Sequence, residues 1–163
     1  MKKETLDKPV YVTQPSLAPL KEFVAHLETI WRTGVMTHNG PLMQRLEKEL
    51  AAALGVRDMI CVSNGTCAMQ LAIRALELEG EIITTPFTFI ATANIIAWER
   101  CMPVFVDVDP ATWNITPEAV ARAVTKRTVG ILPVHVFSAP CDVAGMQEVA
   151  DAQGLRIIYD AAH

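Results

Sequence analysis

An α/β fold built on a largely parallel sheet is what this sequence predicts, and three features predict it. Short apolar, often β-branched runs occur at residues 58–63, 81–85, 102–108, 128–134 and 155–160. Segments of helical pattern lie between them, at residues 66–79, 89–100, 116–124 and 143–153. Turn-forming residues punctuate the changes from one pattern to the other. Strands that alternate with helices join as parallel neighbours through helical crossovers, which places helices on both faces of the sheet in a three-layer α/β/α arrangement.

The elements before the first run have another character. Leu17, Leu20, Phe23, Val24, Leu27, Ile30 and Trp31 recur at helical spacing and predict one apolar helix face. The stretch TGVMTHNGP, residues 33–41, reads as a loop because it holds two glycines, an asparagine and a proline. A second helix carries Met43, Leu46, Leu50 and Leu54 on one side and closes at Gly55. Residues 1–56 therefore form an N-terminal helical segment, and residues 57–163 carry the sheet. Within that second part Thr116 and Pro117 mark a helix start, a capping hydroxyl followed by a proline in the first turn.

Composition narrows the function classes. The chain has 163 residues, 51% hydrophobic and 20% charged, which suits one globular domain with a substantial core. A net charge of −4 with scattered basic residues gives no nucleic-acid footprint. Cys61, Cys67, Cys101 and Cys141 lack metal or redox spacing and are read as reduced thiols of a cytoplasmic protein. The four histidines show no metal-ligand spacing either. No apolar run is long enough for a membrane span, and Glu4 and Thr5 interrupt any signal-like start.

In open α/β sheets ligands gather outside the carboxyl ends of the strands. Three motifs fall there. In SNGTCAM, residues 63–69, a strand gives way to a helix near Gly65 and Thr66, and the free N–H groups and dipole of that helix suit a phosphate. It is neither a P-loop nor a dinucleotide fingerprint, and an ordinary strand-to-helix turn capped by Ser63 or Thr66 is the plainer reading of these residues alone. In TTPFTFIATAN, residues 84–94, two phenylalanines follow a strand; such an aromatic either stacks on a flat ligand or packs under the next helix. In IIYDAAH, residues 157–163, a hydrophobic run ends in Asp160. A carboxylate at a buried strand edge is costly without a cation beside it; a protonated ring nitrogen would serve, with small Ala161 and Ala162 leaving room for a flat ring. Capping of a following helix is the alternative. His163 alone reads as a loop histidine.

Taken together and in this order, the segments WRTGVMTHNGP, CVSNGTCAMQLAIRAL, TTPFTFIATANII, PVFVDVDPATWNI, ILPVHVF and IIYDAAH resemble the DegT–StrS family of nucleotide-sugar aminotransferases, from about residue 9 to the last. The resemblance implies a partial large domain of the fold-type-I pyridoxal 5'-phosphate transferases. It implies that Gly65 and Thr66 hold the cofactor phosphate, that Phe89 stacks on the pyridine ring, and that Asp160 pairs with the ring nitrogen. It also puts His163 near the cofactor 3-hydroxyl, and the 33–41 loop near the substrate entrance.

The chemistry so implied is transamination from an amino-acid donor, commonly glutamate, to a keto carbon of a nucleotide-linked sugar, by an enzyme that is a homodimer when full length. The lysine that forms the resting Schiff base and shuttles protons is expected downstream of the DAAH segment. Lys2, Lys3, Lys8, Lys21, Lys48 and Lys126 do not occupy its place, so no catalytic residue is assigned within these residues. The expectation is an N-terminal fragment, inactive by itself, whose C-terminal remainder is absent. A sugar dehydratase of the same family, with histidine in place of the lysine, is the nearest alternative; a non-catalytic α/β module that binds a phosphorylated ligand is the other. One departure from the family pattern stands in VHVFSAPCD, where Ser138 replaces the usual glycine. A positive φ there would strain serine. His135 is read as a strand-end histidine satisfied by neighbouring backbone.

Overall fold

The computed structural model describes Tyr11 and residues 14–163. The chain divides into two compact units, Met1–Cys61 and Val62–His163.

In the first unit, α1 spans Leu20–Thr33 and α2 spans Pro41–Leu54. Both stop as their sequences dictate. Gly34 and Gly55 take left-handed conformations, φ 68° and 66°, and return their N–H groups to the last helical turn. Pro41 opens α2 at a position where no N–H is needed. No residue of either helix is fully buried: along the apolar stripe of α1, Leu20, Phe23, Val24 and Trp31 are exposed while Leu27 and Ile30 are half-buried. Between the helices His38 and Asn39 both have positive φ, 57° and 56°.

The second unit runs α3 (Gly65–Ala75), β1 (Glu81–Thr84), α4 (Ile90–Trp98), β2 (Met102–Phe105), α5 (Pro117–Ala123), β3 (Thr128–Ile131), a 3-10 turn (Val136–Ser138), α6 (Val143–Gln153) and β4 (Arg156–Ile157). The four strands are all parallel in the order β2-β1-β3-β4. Ile82 and Leu132 pack on one face with Met69 and Ile73 of α3 and Ile95 and Ile96 of α4. Ile83 and Ile131 pack on the other with Val120 of α5 and Met146 of α6. That alternation along β1 makes three layers, as the sequence predicts. The helices also match: Thr116 caps α5 through Ala119 N–H, with Pro117 in the first turn. Among the described residues no helix is long and apolar enough to cross a membrane.

One predicted strand does not form. Residues 58–63 have no sheet partner among the described residues, and Ile60 is 75% exposed. An apolar run becomes a strand only where a neighbouring edge takes its N–H groups. Here the Cys61 N–H donates instead to the Glu47 carboxylate of α2, at 2.8 Å.

The amino edge of the sheet is held by charge. Glu81, nearly buried, accepts the Thr125 hydroxyl and the Arg127 guanidinium, each at 2.5 Å. Gly80 beside it has φ 153°, and a Cβ there would stand 2.5 Å from the Arg127 carbonyl oxygen, so only glycine lets the two segments meet. On the α3/α4 face, buried Glu99 takes the Arg74 guanidinium and the Gln70 amide, the latter at 2.8 Å. That pair ties α3 to α4, the two helices whose first turns face the carboxyl edge.

Candidate functional site

Asp160 is delivered to the carboxyl edge by its own backbone. Its N–H donates to Pro133 O at 2.9 Å, and its carbonyl oxygen accepts the His135 N–H at 3.0 Å. These bonds flank an isolated parallel bridge between Val134 and Asp160, which extends the β3–β4 ladder past both strands. The half-buried carboxylate accepts the Thr92 hydroxyl on Oδ2 at 2.9 Å and the Ala162 N–H on Oδ1 at 3.2 Å. No cationic side chain pairs with it among the described residues. Thr92 lies in the first turn of α4, so the carboxylate meets the positive end of that helix dipole. Through Ala162 N–H, Asp160 caps the turn that follows it.

The first turn of α3 presents Gly65 and Thr66. Its cap is Asn64, whose side-chain oxygen accepts the Cys67 N–H at 2.9 Å. Neither Ser63 nor Thr66, the caps expected from the sequence, takes that role: Asn64 adopts the extended conformation, φ −167° and ψ 168°, that aims a side-chain oxygen back along the helix. The cap serves one of the early N–H groups; those of Gly65 and Thr66 have no acceptor among the described residues. A Cβ on Gly65 would meet nothing within 4 Å, so the space in front of the turn is open. Two unspent donors at a helix start, with a hydroxyl beside them, suit an anion.

Phe89 is the N-cap residue of α4 and is 70% exposed. His163 is also exposed. Its Nδ1 accepts the Phe137 N–H at 3.1 Å, its carbonyl oxygen accepts the Ser138 hydroxyl at 2.7 Å, and its ring stacks on Phe137 at 5.8 Å. Ser138 does have positive φ, 64°, as does Phe137 at 50°. His135 is satisfied locally, as expected: Nδ1 accepts the Cys141 N–H at 3.2 Å, and the ring stacks on Tyr159 at 5.2 Å.

Two features of this edge escape a reading of the sequence. Thr92 is fully buried and reaches Asp160 from 68 residues away; its signal was the spacing of Thr88 and Thr92, one helical turn apart in a run of threonines. Trp113, Phe87, Phe137 and His163 form a row of ring contacts, with centroid separations of 5.2, 6.2 and 5.8 Å; the outer two pairs are stacked and Phe87 meets Phe137 edge-on. Each follows a different strand, in the sheet order β2-β1-β3-β4. No local pattern announces such a row, because its members are neighbours only through the topology.

Burial pushes the Cys141 thiol up, and the nearby Asp142 carboxylate adds to it. Burial likewise raises the Tyr159 phenol, helped by Cys141 and Asp142. In the turn after β2, Asp109 is held below the usual carboxylate range by the N–H groups of Thr112 and Ala111.

The fold recurs in proteins of known structure. The chain is 36% identical to DesI, whose crystal structure was determined in the presence of its TDP-sugar product, with a TM-score of 0.90 over 97% of this chain and 40% of that one. NtdA from Bacillus subtilis, solved with bound PMP, is 32% identical with a TM-score of 0.83 over 87% of this chain and 33% of that one. The dTDP-4-amino-4,6-dideoxy-D-glucose transaminase of Escherichia coli is 46% identical over 157 residues, 96% of this chain and 42% of the enzyme. The chain thus spans about two fifths of the length of the relatives it matches, and its α/β/α unit is the expected part of the fold-type-I large domain. With the sequence profile of the DegT/DnrJ/EryC1/StrS aminotransferase family matching residues 19–163, the chain belongs to that family.

Proposed function

We propose that this chain forms the cofactor-binding part of a pyridoxal 5'-phosphate-dependent aminotransferase that moves an amino group from an amino acid, glutamate by preference, to a keto carbon of a nucleotide-linked sugar. The observation that carries the reading is Asp160. A half-buried carboxylate with no cation beside it among the described residues lies at the same sheet edge as two unspent helix N–H donors and an exposed aromatic ring. The three fit one ligand that is anionic at one end, flat in the middle and cationic at a ring atom.

Each residue then has a task. Gly65 and Thr66 bind the cofactor phosphate through backbone N–H groups and the Thr66 hydroxyl. Phe89 offers its exposed face to the pyridine ring. Asp160 holds a proton at the ring nitrogen. His163 lies beside the 3-hydroxyl, oriented through its Nδ1 by the Phe137 N–H. When bound, the cofactor supplies a protonated ring that withdraws electrons from the carbon being deprotonated.

The Schiff-base lysine comes from outside these residues. Lys126, the lysine of the second unit, precedes β3 at the amino edge, the opposite end of the sheet from Asp160. Lys2, Lys3 and Lys8 lie outside the described residues. The reading includes a homodimer, which would cover exposed apolar residues such as Ile90, Trp98 and Phe105. It also places the protein in the cytoplasm, where its four free thiols stay reduced.

The test is amino transfer by the complete gene product loaded with pyridoxal phosphate. Addition of L-glutamate should convert the cofactor to its amine form, read as loss of the long-wavelength absorbance, and a dTDP-linked 4-keto sugar should restore it while yielding an amino sugar. Loss of a sugar hydroxyl without amine transfer would instead identify the dehydratase. A protein that neither binds the cofactor nor transfers the amine would sink the reading.

A further inference from the structure

We propose that Thr92, backed by Thr88, is a positioning residue that fixes the Asp160 carboxylate toward the ring nitrogen of the cofactor; the inference rests on the cofactor reading above. The geometry starts from an oddity of α4. A threonine within a helix normally returns its hydroxyl to the carbonyl four residues back. Thr92 is fully buried and does not: its Oγ1 lies 2.9 Å from Asp160 Oδ2 and 2.9 Å from the Thr88 hydroxyl.

The direction of both bonds follows from the end of the chain of hydroxyls. An ionised carboxylate only accepts, so Thr92 must spend its one proton on Asp160. The Thr88 hydroxyl must therefore donate to Thr92. Two O–H dipoles then point the same way, toward Oδ2, and each polarises the next. The Ala162 N–H occupies Oδ1 at 3.2 Å. A carboxylate gripped on both oxygens has one orientation, and its remaining lone pairs are aimed by the protein rather than by the ligand. The helix start contributes as well, because Thr92 belongs to the first turn of α4.

The relay also joins two parts of the site. Phe89, the exposed ring, stands between Thr88 and Thr92 in sequence and caps the same helix. The segment that would stack on the ring face is thus the segment that orients the acid at the ring edge. A shift of α4 would move both together.

The experiment compares two ligands that need no lysine: pyridoxamine 5'-phosphate and its 1-deaza analogue, in which carbon replaces the ring nitrogen. Dissociation constants are measured by fluorescence for the full chain and for T92V, T92S, T88V and D160N. The readout is the preference for the ligand that keeps the nitrogen, which a general loss of packing leaves unchanged because it weakens both ligands alike. T92V should lose about tenfold of that preference, the size expected for a hydrogen bond to a charged group. T88V should lose less, and T92S should retain it. Equal preference in T92V and the unmodified chain, with D160N abolishing it, overturns the relay and leaves the cofactor reading standing. No preference in the unmodified chain, with D160N unchanged, overturns both.

Discussion

Asn114 holds the Val136 N–H on its side-chain oxygen at 3.1 Å, while its amide nitrogen donates to Ala139 O at 3.0 Å. One side chain, 3% exposed, thereby spans the 3-10 turn after β3 from a loop that follows β2. Asn114 follows Trp113 and the clamped Val136 precedes Phe137, and the positive φ angles of Trp113 and Phe137, 62° and 50°, are unfavourable for non-glycine residues. Strained loop backbone persists only where the surroundings over-determine it. Both bonds of Asn114 supply that constraint.

Replacing Asn114 with alanine should therefore cost about 2–3 kcal/mol, because Val136 N–H and Ala139 C=O lose their partners together. Asn114→Asp keeps the acceptor for Val136 but turns an anion toward the Ala139 carbonyl, and should cost a similar amount. Urea unfolding of the two variants measures both. An Asn114→Ala midpoint equal to that of the unmodified chain would mean that water replaces the clamp.

Ser138 separates backbone strain from side-chain bonding. At φ 64° it occupies a conformation that glycine adopts freely, and its hydroxyl donates to His163 O at 2.7 Å. Ser138→Gly removes the bond and the strain; Ser138→Ala removes the bond alone. The glycine variant should be more stable than the alanine variant by about 1 kcal/mol. Thermal melts of the pair read that difference directly, and equal melting temperatures would show that the backbone relaxes out of the left-handed region.

What the sequence reveals here follows the range of the forces involved. Helix ends are local, so Gly55, Thr116 and Pro117 could be placed from neighbouring residues alone. The layer order also follows from alternation, since Ile82 and Ile83 must face opposite sides of a strand. Strand pairing is not local. The apolar run at 58–63 looks like the others, yet its Cys61 N–H goes to Glu47. Cap choice lies between these cases. Ser63, Asn64 and Thr66 all carry a usable oxygen, and only the backbone angles select Asn64. Asp160 stands out as a candidate in the sequence because a carboxylate at the end of an apolar run needs a reason. Thr92 does not, because a buried threonine on a helix needs none until its partner 68 residues away is known.

Cys141 and Tyr159 give the fold an alkaline limit. Burial raises both groups above their ordinary values of 9.0 and 10.0. The folded chain thus keeps these protons where the unfolded chain releases them. Below about pH 9 both states hold the protons and the contribution to stability is fully present; above it the unfolded state binds fewer, so stability falls as pH rises toward the folded values. The Tyr159 hydroxyl is buried without a hydrogen-bond partner among the described residues, so Tyr159→Phe deletes a group left unsatisfied there. That variant should be more stable by about 1 kcal/mol at neutral pH. It should also retain more of its stability between pH 9 and 11 than the unmodified chain, and Cys141→Ala should flatten the profile from its lower end. Urea midpoints taken across that range test both statements. A Tyr159→Phe profile that falls in parallel with the unmodified one would show that the phenol titrates alike in both states.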